Sequence, residues 1–189
     1  RQMCIRDRCC IDPAHMHLAE QQFAGATNMT DRLGALRVIA LHAPDDVSGP
    51  ALDTFYGDWH HEALVVNLWF QVQAAVPYGD GLERVRALMS HPEFELRNPN
   101  KVRALVGVFC NQNPVNFHRA DGAGYAFLAD VVEQLNRSNP QIAARQLTPL
   151  TKWRNYRGRQ DLMRAQLERL AAVPDLSPDV YEIVTKSLG

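Results

Sequence analysis

Apolar residues recur at helical spacing along almost the whole chain, and the breaks between them carry asparagine, proline and glycine. The densest stretch runs from Asn98 to Arg145 and holds three Asn-Pro steps, Asn98-Pro99, Asn113-Pro114 and Asn139-Pro140. An Asn side chain accepts from the free N–H groups of a first helical turn, and Pro fits the first helical position because it has no N–H to satisfy. The pattern predicts a row of short helices joined by tight polar corners.

The row extends in both directions. Upstream, Ala14 to Ala24 reads as a short helix with Met16 and Phe23 inward. Thr30 is the expected cap of the next, which carries Asp31 in its positive first turn and Leu33, Leu36 and Ala40 along one face to about His42. Two prolines, a glycine and two aspartates between Ala43 and Pro50 predict a loop. A helix from near Pro50 carries Leu52, Phe55 and Tyr56 and closes at Trp59-His60-His61. Leu64, Leu68 and Val72 mark the inward face of Leu64 to Ala75. After a break at Pro77 to Gly81, Leu82, Val85, Leu88 and Met89 form another apolar stripe.

Downstream, Pro140 to Trp153 reads as one helix and Arg154 to Gly158 as a polar turn. Leu162, Ala165, Leu167 and Leu170 are the expected inward face of the next helix. Ser177-Pro178 opens the last, with Val180, Ile183 and Val184 inward. No strand alternation is visible. About nine or ten helices of roughly 10–16 residues make an all-α fold, a superhelical stack of antiparallel helix pairs of the α-solenoid or armadillo-like kind.

Composition adds bounds. A chain of 189 residues, 46% hydrophobic and 22% charged, suits a single helical-repeat domain over residues 13–189. A net charge of −1 gives no general pull towards nucleic acid or anionic membrane. No apolar run approaches the roughly 18–20 residues needed to cross a bilayer. Cys4, Cys9 and Cys10 crowd the start and leave only Cys110 in the body, inside the apolar run VGVFC. That is no disulfide framework, and it points to a reducing, cytoplasmic setting. Residues 1–12 match nothing after them; RQMCIRDR reads as translated sequencing adapter, so a non-native or disordered segment and an upstream truncation are expected. A metal-binding arm of Cys4, Cys9, Cys10, His15 and His17 is the alternative, although its spacing fits no zinc template.

Catalytic motifs are sparse. HExxH, GxSxG, Walker A and CxxC patterns are all missing. His60-His61-Glu62 is contiguous, so it cannot set two imidazoles one helical turn apart with a base between them, and it reads as a polar helix end. Asp121-Gly-Ala-Gly-Tyr125 follows no strand and reads as a corner in which Asp121 caps the next helix. Arg154, Arg157 and Arg159 surround Tyr156, but without repeated base-reading positions they make a weak case for RNA. Gln141 and Arg145 stand four apart on one helical face, and Arg103 lies one turn into the helix begun at Asn98-Pro99. These three side chains suit a polar rim, because guanidinium groups grip carboxylates through two parallel hydrogen bonds.

The series Asn28-Met-Thr-Asp-Arg-Leu, Trp59-His60, Trp69-Phe70, His91-Pro-x-Phe94, Asn98-Pro-Asn, Asn113-Pro, Phe117-His118, Asp121-Gly-x-Gly-Tyr125, Leu135-Asn136, Asn139-Pro-Gln141, Arg145 and Tyr156 resembles the C-terminal domain of the bacterial aminopeptidase N family, over about Leu18 to Gly189. The resemblance implies a helical superhelix that covers the active site of a zinc metallo-aminopeptidase and closes its chamber. The zinc ligands and the exopeptidase loop of that family belong to an earlier domain, so this chain is expected to need no cofactor of its own and to be inactive alone. Its expected partners are the catalytic domain of the same polypeptide and peptide substrates, with no catalytic or metal-binding residue here. The family's NPNxxR and NPQxxxR motifs fall on Arg103 and on Gln141 and Arg145, which would border the pocket for the residue after the scissile bond. A freestanding α-solenoid that binds protein or peptide is the rival reading.

Overall fold

In a computed structural model, residues 16–189 are described, and they carry helices and no strand. The cysteines of the first ten residues, and the segment read as adapter-derived, lie outside the described residues. Among the described residues twelve helices occur where nine or ten were expected. The chain divides into two compact units, Arg1–Val76 and Pro77–Gly189.

In the first unit, α1 (Met16–Gly25), α2 (Met29–His42), α3 (Asp45–Trp59) and α4 (Ala63–Ala74) pack as neighbours, with α2 against the other three. Phe23, Leu36, Ile39, Phe55, Val66 and Phe70 form its core. The cap of α2 is Asn28, two residues before the expected Thr30. Its Oδ1 accepts from the Asp31 N–H at 2.9 Å while its Nδ2 donates to the Asp31 carboxylate at 2.8 Å. The expected loop at 43–50 is helical, since α3 starts at Asp45 and contains Pro50. Asp45 and Asp46 lie in its first turn, where carboxylates favour the positive helix end. The inward face of α4 is also rotated from expectation. Val66, Trp69, Phe70 and Val72 are buried, whereas Leu64 is 75% exposed. Trp69 fixes the register by donating its indole N–H to the Leu52 carbonyl at 3.1 Å.

In the second unit come α5 (Gly81–Met89), a helix over 99–112 (α6), α7 (Pro114–Phe117), α8 (Ala123–Ser138), α9 (Pro140–Gln146), α10 (Thr148–Thr151), α11 (Gln160–Ala171) and α12 (Pro178–Leu188). All three Asn-Pro steps behave as read. Asn98, Asn113 and Asn139 each accept a first-turn N–H, from Asn100, Asn116 and Ile142, with Pro at the first helical position. Ser177 does the same for Val180. Nine of the sixteen residues of α8 are buried, which makes it the central helix, packed on α9 and α11. Asn136, on α8, accepts from the Ser177 N–H at 2.9 Å and donates to the Asp175 carbonyl, so the turn before α12 is tied to the core.

The single helix expected over Pro140 to Trp153 is broken at Leu147. Pro149 has no N–H for the Arg145 carbonyl, and the Thr148 hydroxyl donates to it instead at 3.0 Å. On α11, Met163 replaces Leu162 and Ala165 in the buried face beside Leu167 and Leu170. No helix among the described residues is long and apolar enough to cross a membrane.

Candidate functional site

Helix α6 is apolar on all sides. From Val102 to Cys110 every residue is buried except Arg103, which is exposed. Arg103 also opens a wider turn, Arg103–Gly107, in which the helix takes π geometry. Such a turn holds an extra residue, costs hydrogen-bond quality and is common at functional positions. Here it follows a four-residue α segment and precedes Val108–Gln112. Asn111 supports it by donating its side-chain N–H to the Gly107 carbonyl at 2.8 Å.

Gln141 and Arg145 are exposed on α9, while Ile142, Ala143 and Ala144 between them are buried. Asn139 and Pro140 hold the start of that helix, and the Thr148 hydroxyl covers the Arg145 carbonyl at its end. Gly107 is the meeting point of the two helices. A Cβ placed on it would lie 3.7 Å from Cγ of Arg103, 3.6 Å from Oε1 of Gln146 and 3.8 Å from its Nε2. The structure therefore brings Arg103 to the last turn of α9, one residue past Arg145. None of Arg103, Gln141 or Arg145 has a hydrogen bond or ion pair from its side chain among the described residues. Gln146 was not singled out in the sequence; its place three and four residues after the apolar Ala143 and Ile142, on the same helical face, was the available signal.

A second cluster forms at the corner before α8, and the sequence reading had placed its members only in separate motifs. His118 Nδ1 lies 2.8 Å from the Tyr125 hydroxyl, and its ring stacks on Tyr156 with centroids 4.2 Å apart. Phe117 meets Tyr125 and Phe109 edge to face. Burial, helped by the Arg159 charge, lowers the His118 pKa, and burial raises that of Tyr125. Arg159 donates to the His118 carbonyl, while Arg154 donates to the Ser187 carbonyl and lies over the Trp153 ring. Two of the arginines around Tyr156 thus serve the fold. Asp121 accepts from the Ala123 N–H at 3.0 Å, as the corner reading required. Arg119 bridges Asp80 and Asp121, both held below the usual carboxylate range, first by the backbone N–H groups of Glu83 and Ala123 and then by Arg119.

Cys110 is a free, buried thiol whose pKa is pushed up by burial. His60 and His61 are exposed at the end of α3. No group of three His, Cys, Asp or Glu side chains that could hold a metal ion occurs among the described residues. A groove of about 520 Å³ runs along Asp130, Glu133, Gln134 and Arg137 on the outside of α8, where Arg169 pairs with Asp130 at 2.6 Å.

The family model described as a domain of unknown function (DUF3458_C) with ARM repeats matches residues 1–189. Aminopeptidase N of Caulobacter vibrioides is 47% identical over 193 residues, covering 98% of this chain and 22% of that protein. Aminopeptidase N of Escherichia coli is 44% identical, covering 91% of this chain and 20% of that protein. A solved structure of Legionella pneumophila aminopeptidase A in complex with aspartic acid superposes with a TM-score of 0.86 at 34% identity, covering 93% of this chain and 21% of that one. The chain spans about a fifth of the length of the relatives it matches. Matched over its full length, and built of helices without a strand among its described residues, the chain belongs to the DUF3458_C family of ARM-repeat domains, the C-terminal helical domain of bacterial aminopeptidase N.

Proposed function

We propose that this domain caps the catalytic domain of a zinc-dependent, cytoplasmic aminopeptidase and shapes the chamber in which N-terminal residues are removed from peptides. The observation that carries the reading is the set of unengaged polar side chains on α6 and α9. Arg119, Arg154, Arg159 and Arg169 are tied to carboxylates or backbone carbonyls. Arg103, Gln141 and Arg145 have no such ties among the described residues and stand exposed on well-held helices.

Their chemistry is binding. A guanidinium group donates two parallel hydrogen bonds to a carboxylate and single ones to a peptide carbonyl. A charge-assisted hydrogen bond of this kind is worth about 1.5–3 kcal/mol. Arg103 and Arg145 would hold and orient the part of the peptide beyond the scissile bond, with Gln141 offering both a donor and an acceptor. Zinc would supply the activated water from the catalytic domain. The chain alone is expected to release no product from an alanyl chromogenic amide.

The test mixes this chain with a separately expressed catalytic portion of a related aminopeptidase N and follows both binding and alanyl-amide hydrolysis. Association that changes turnover, and that weakens with Arg103→Ala or Arg145→Ala, is the expected result. A folded chain that neither associates nor alters turnover would replace this reading with that of a freestanding peptide-binding solenoid.

A further inference from the structure

The stretch from Gln134 to Gln160 holds six of the chain's 20 Lys and Arg residues and none of its 21 Asp and Glu residues, in a chain whose net charge is −1. The six are Arg137 on α8, Arg145 at the end of α9, and Lys152, Arg154, Arg157 and Arg159 between α10 and α11. Arg159 is half-buried and the other five are exposed. None of the six has a carboxylate partner among the described residues, whereas Arg119, Arg164 and Arg169 each have one. Arg154 and Arg159 are fixed instead by the carbonyls of Ser187 and His118, which order a guanidinium group without cancelling its charge. Seven residues of mostly helical chain rise about 10 Å, so the backbone at Arg145 and at Lys152 is separated by little more than a Debye length at physiological salt. The cations therefore act together as one positive edge.

We propose that this edge, from Arg145 through Lys152 and Arg157, is an interaction surface for acidic peptides and grips Asp and Glu side chains that lie beyond the scissile bond. The inference rests on the reading of α9 as part of the chamber wall and names the substrate class for it. Guanidinium groups hold carboxylates through paired hydrogen bonds, and Lys adds a mobile point charge. Nucleic acid fits this edge less well. Sequence-tolerant binding of single strands uses open aromatic faces. Here Tyr156 is stacked on His118 with centroids 4.2 Å apart, and Arg154 lies 4.3 Å over the Trp153 ring. All 21 acidic residues lie outside the stretch, so a long polyanion reaching past the edge is repelled while a short peptide is not.

The experiment titrates the whole chain with three fluorescein-labelled probes, Ala-Ala-Asp-Glu-Asp-Glu, Ala-Ala-Asn-Gln-Asn-Gln and hexauridylate, and follows anisotropy at about 30 mM and about 150 mM salt. The acidic peptide is expected to bind about tenfold tighter than its amide counterpart at the lower salt, and the advantage should shrink at the higher. The double variant Lys152→Gln, Arg157→Gln removes two exposed charges whose side chains make no hydrogen bond or ion pair among the described residues. It is expected to weaken the acidic peptide about three- to tenfold with the thermal midpoint unchanged. Equal binding of the two peptides would overturn this proposal and leave the chamber reading standing. If neither peptide binds the folded chain, the proposal falls, and association with the catalytic portion still decides the chamber reading by itself. Acidic-peptide binding untouched by the double variant would put the contact elsewhere and overturn it as well. Hexauridylate bound as tightly as the acidic peptide would replace it with a nucleic-acid surface.

Discussion

The Thr148 hydroxyl donates to the carbonyl of Arg145 at 3.0 Å, occupying the position that the N–H of residue 149 would hold if it were not proline. A residue with no known chemistry thereby finishes the helix end from which Arg145 projects. Thr148→Val keeps the shape and removes the donor, and it is expected to cost about 0.5–1 kcal/mol because the carbonyl is near solvent. Thr148→Ser should cost less than half of that. Urea denaturation of the two variants checks the difference, and equal stabilities would mean the hydroxyl is dispensable.

Two glycines should answer to alanine in opposite ways. At Gly124 a Cβ would sit 2.3 Å from the Phe117 carbonyl oxygen, a backbone atom that cannot move aside. Gly124→Ala is expected to destabilise by about 3 kcal/mol or more by forcing α8 away from α7. At Gly107 the nearest atoms are at 3.6–3.8 Å and the backbone is helical, with φ −61 and ψ −42. Gly107→Ala should therefore be neutral or stabilising by about 0.5–1 kcal/mol through the unfolded chain. Thermal melts of both variants test the pair, and a large loss at Gly107 would contradict the geometry.

Asn116 ties the turn before α5 to α7. Its Oδ1 accepts from the Gly81 N–H at 3.1 Å and its Nδ2 donates to the Pro77 carbonyl at 3.0 Å and to Asn113 Oδ1 at 3.1 Å. It is 5% exposed, so removing it strands polar groups away from water. Asn116→Ala is expected to cost about 2–3 kcal/mol. Hydrogen exchange should report the loss first at Gly81, whose N–H would become rapidly exchanging, and continued protection there would refute the assignment.

His118 gives the domain a pH dependence with a definite sign. Burial and Arg159 lower its pKa in the folded chain below the ordinary value of about 6.5. The unfolded chain therefore binds the proton more tightly. The stability carried by neutral His118 is present above pH about 6.5 and is lost as pH falls from there through the folded-state pKa. Between pH about 7.5 and about 5.5, wild type should lose more of its thermal midpoint than His118→Gln, which cannot titrate. Parallel losses in the two proteins would show that carboxylates elsewhere dominate.

Local chemistry made part of this protein legible from its residues alone. The Asn-Pro steps at 98, 113 and 139 and Ser177-Pro178 were readable because a cap involves only residues two or three apart, and the same is true of the Asp121 corner. Cys110 was readable as a buried thiol from the apolar run around it. The all-α class followed from spacing. Arg103, Gln141 and Arg145 came to attention through motif resemblance and through their spacing on helices.

Tertiary packing decided the remainder. Helices rich in apolar residues offer more than one possible inward face, and only the neighbours choose: Val66 and Phe70 are buried on α4 while Leu64 is exposed, and Met163 is buried on α11 in place of Leu162. The first turns of α3 were misread as a loop because proline and glycine weaken a helix without forbidding one whose other face is held in a core, here by Ser48, Leu52 and Phe55. The π turn at Arg103 has no signature in residue spacing. The meetings of Gly107 with Gln146 and of His118 with Tyr156 join residues nearly 40 positions apart, and such meetings arise only when separate parts of the chain pack against one another.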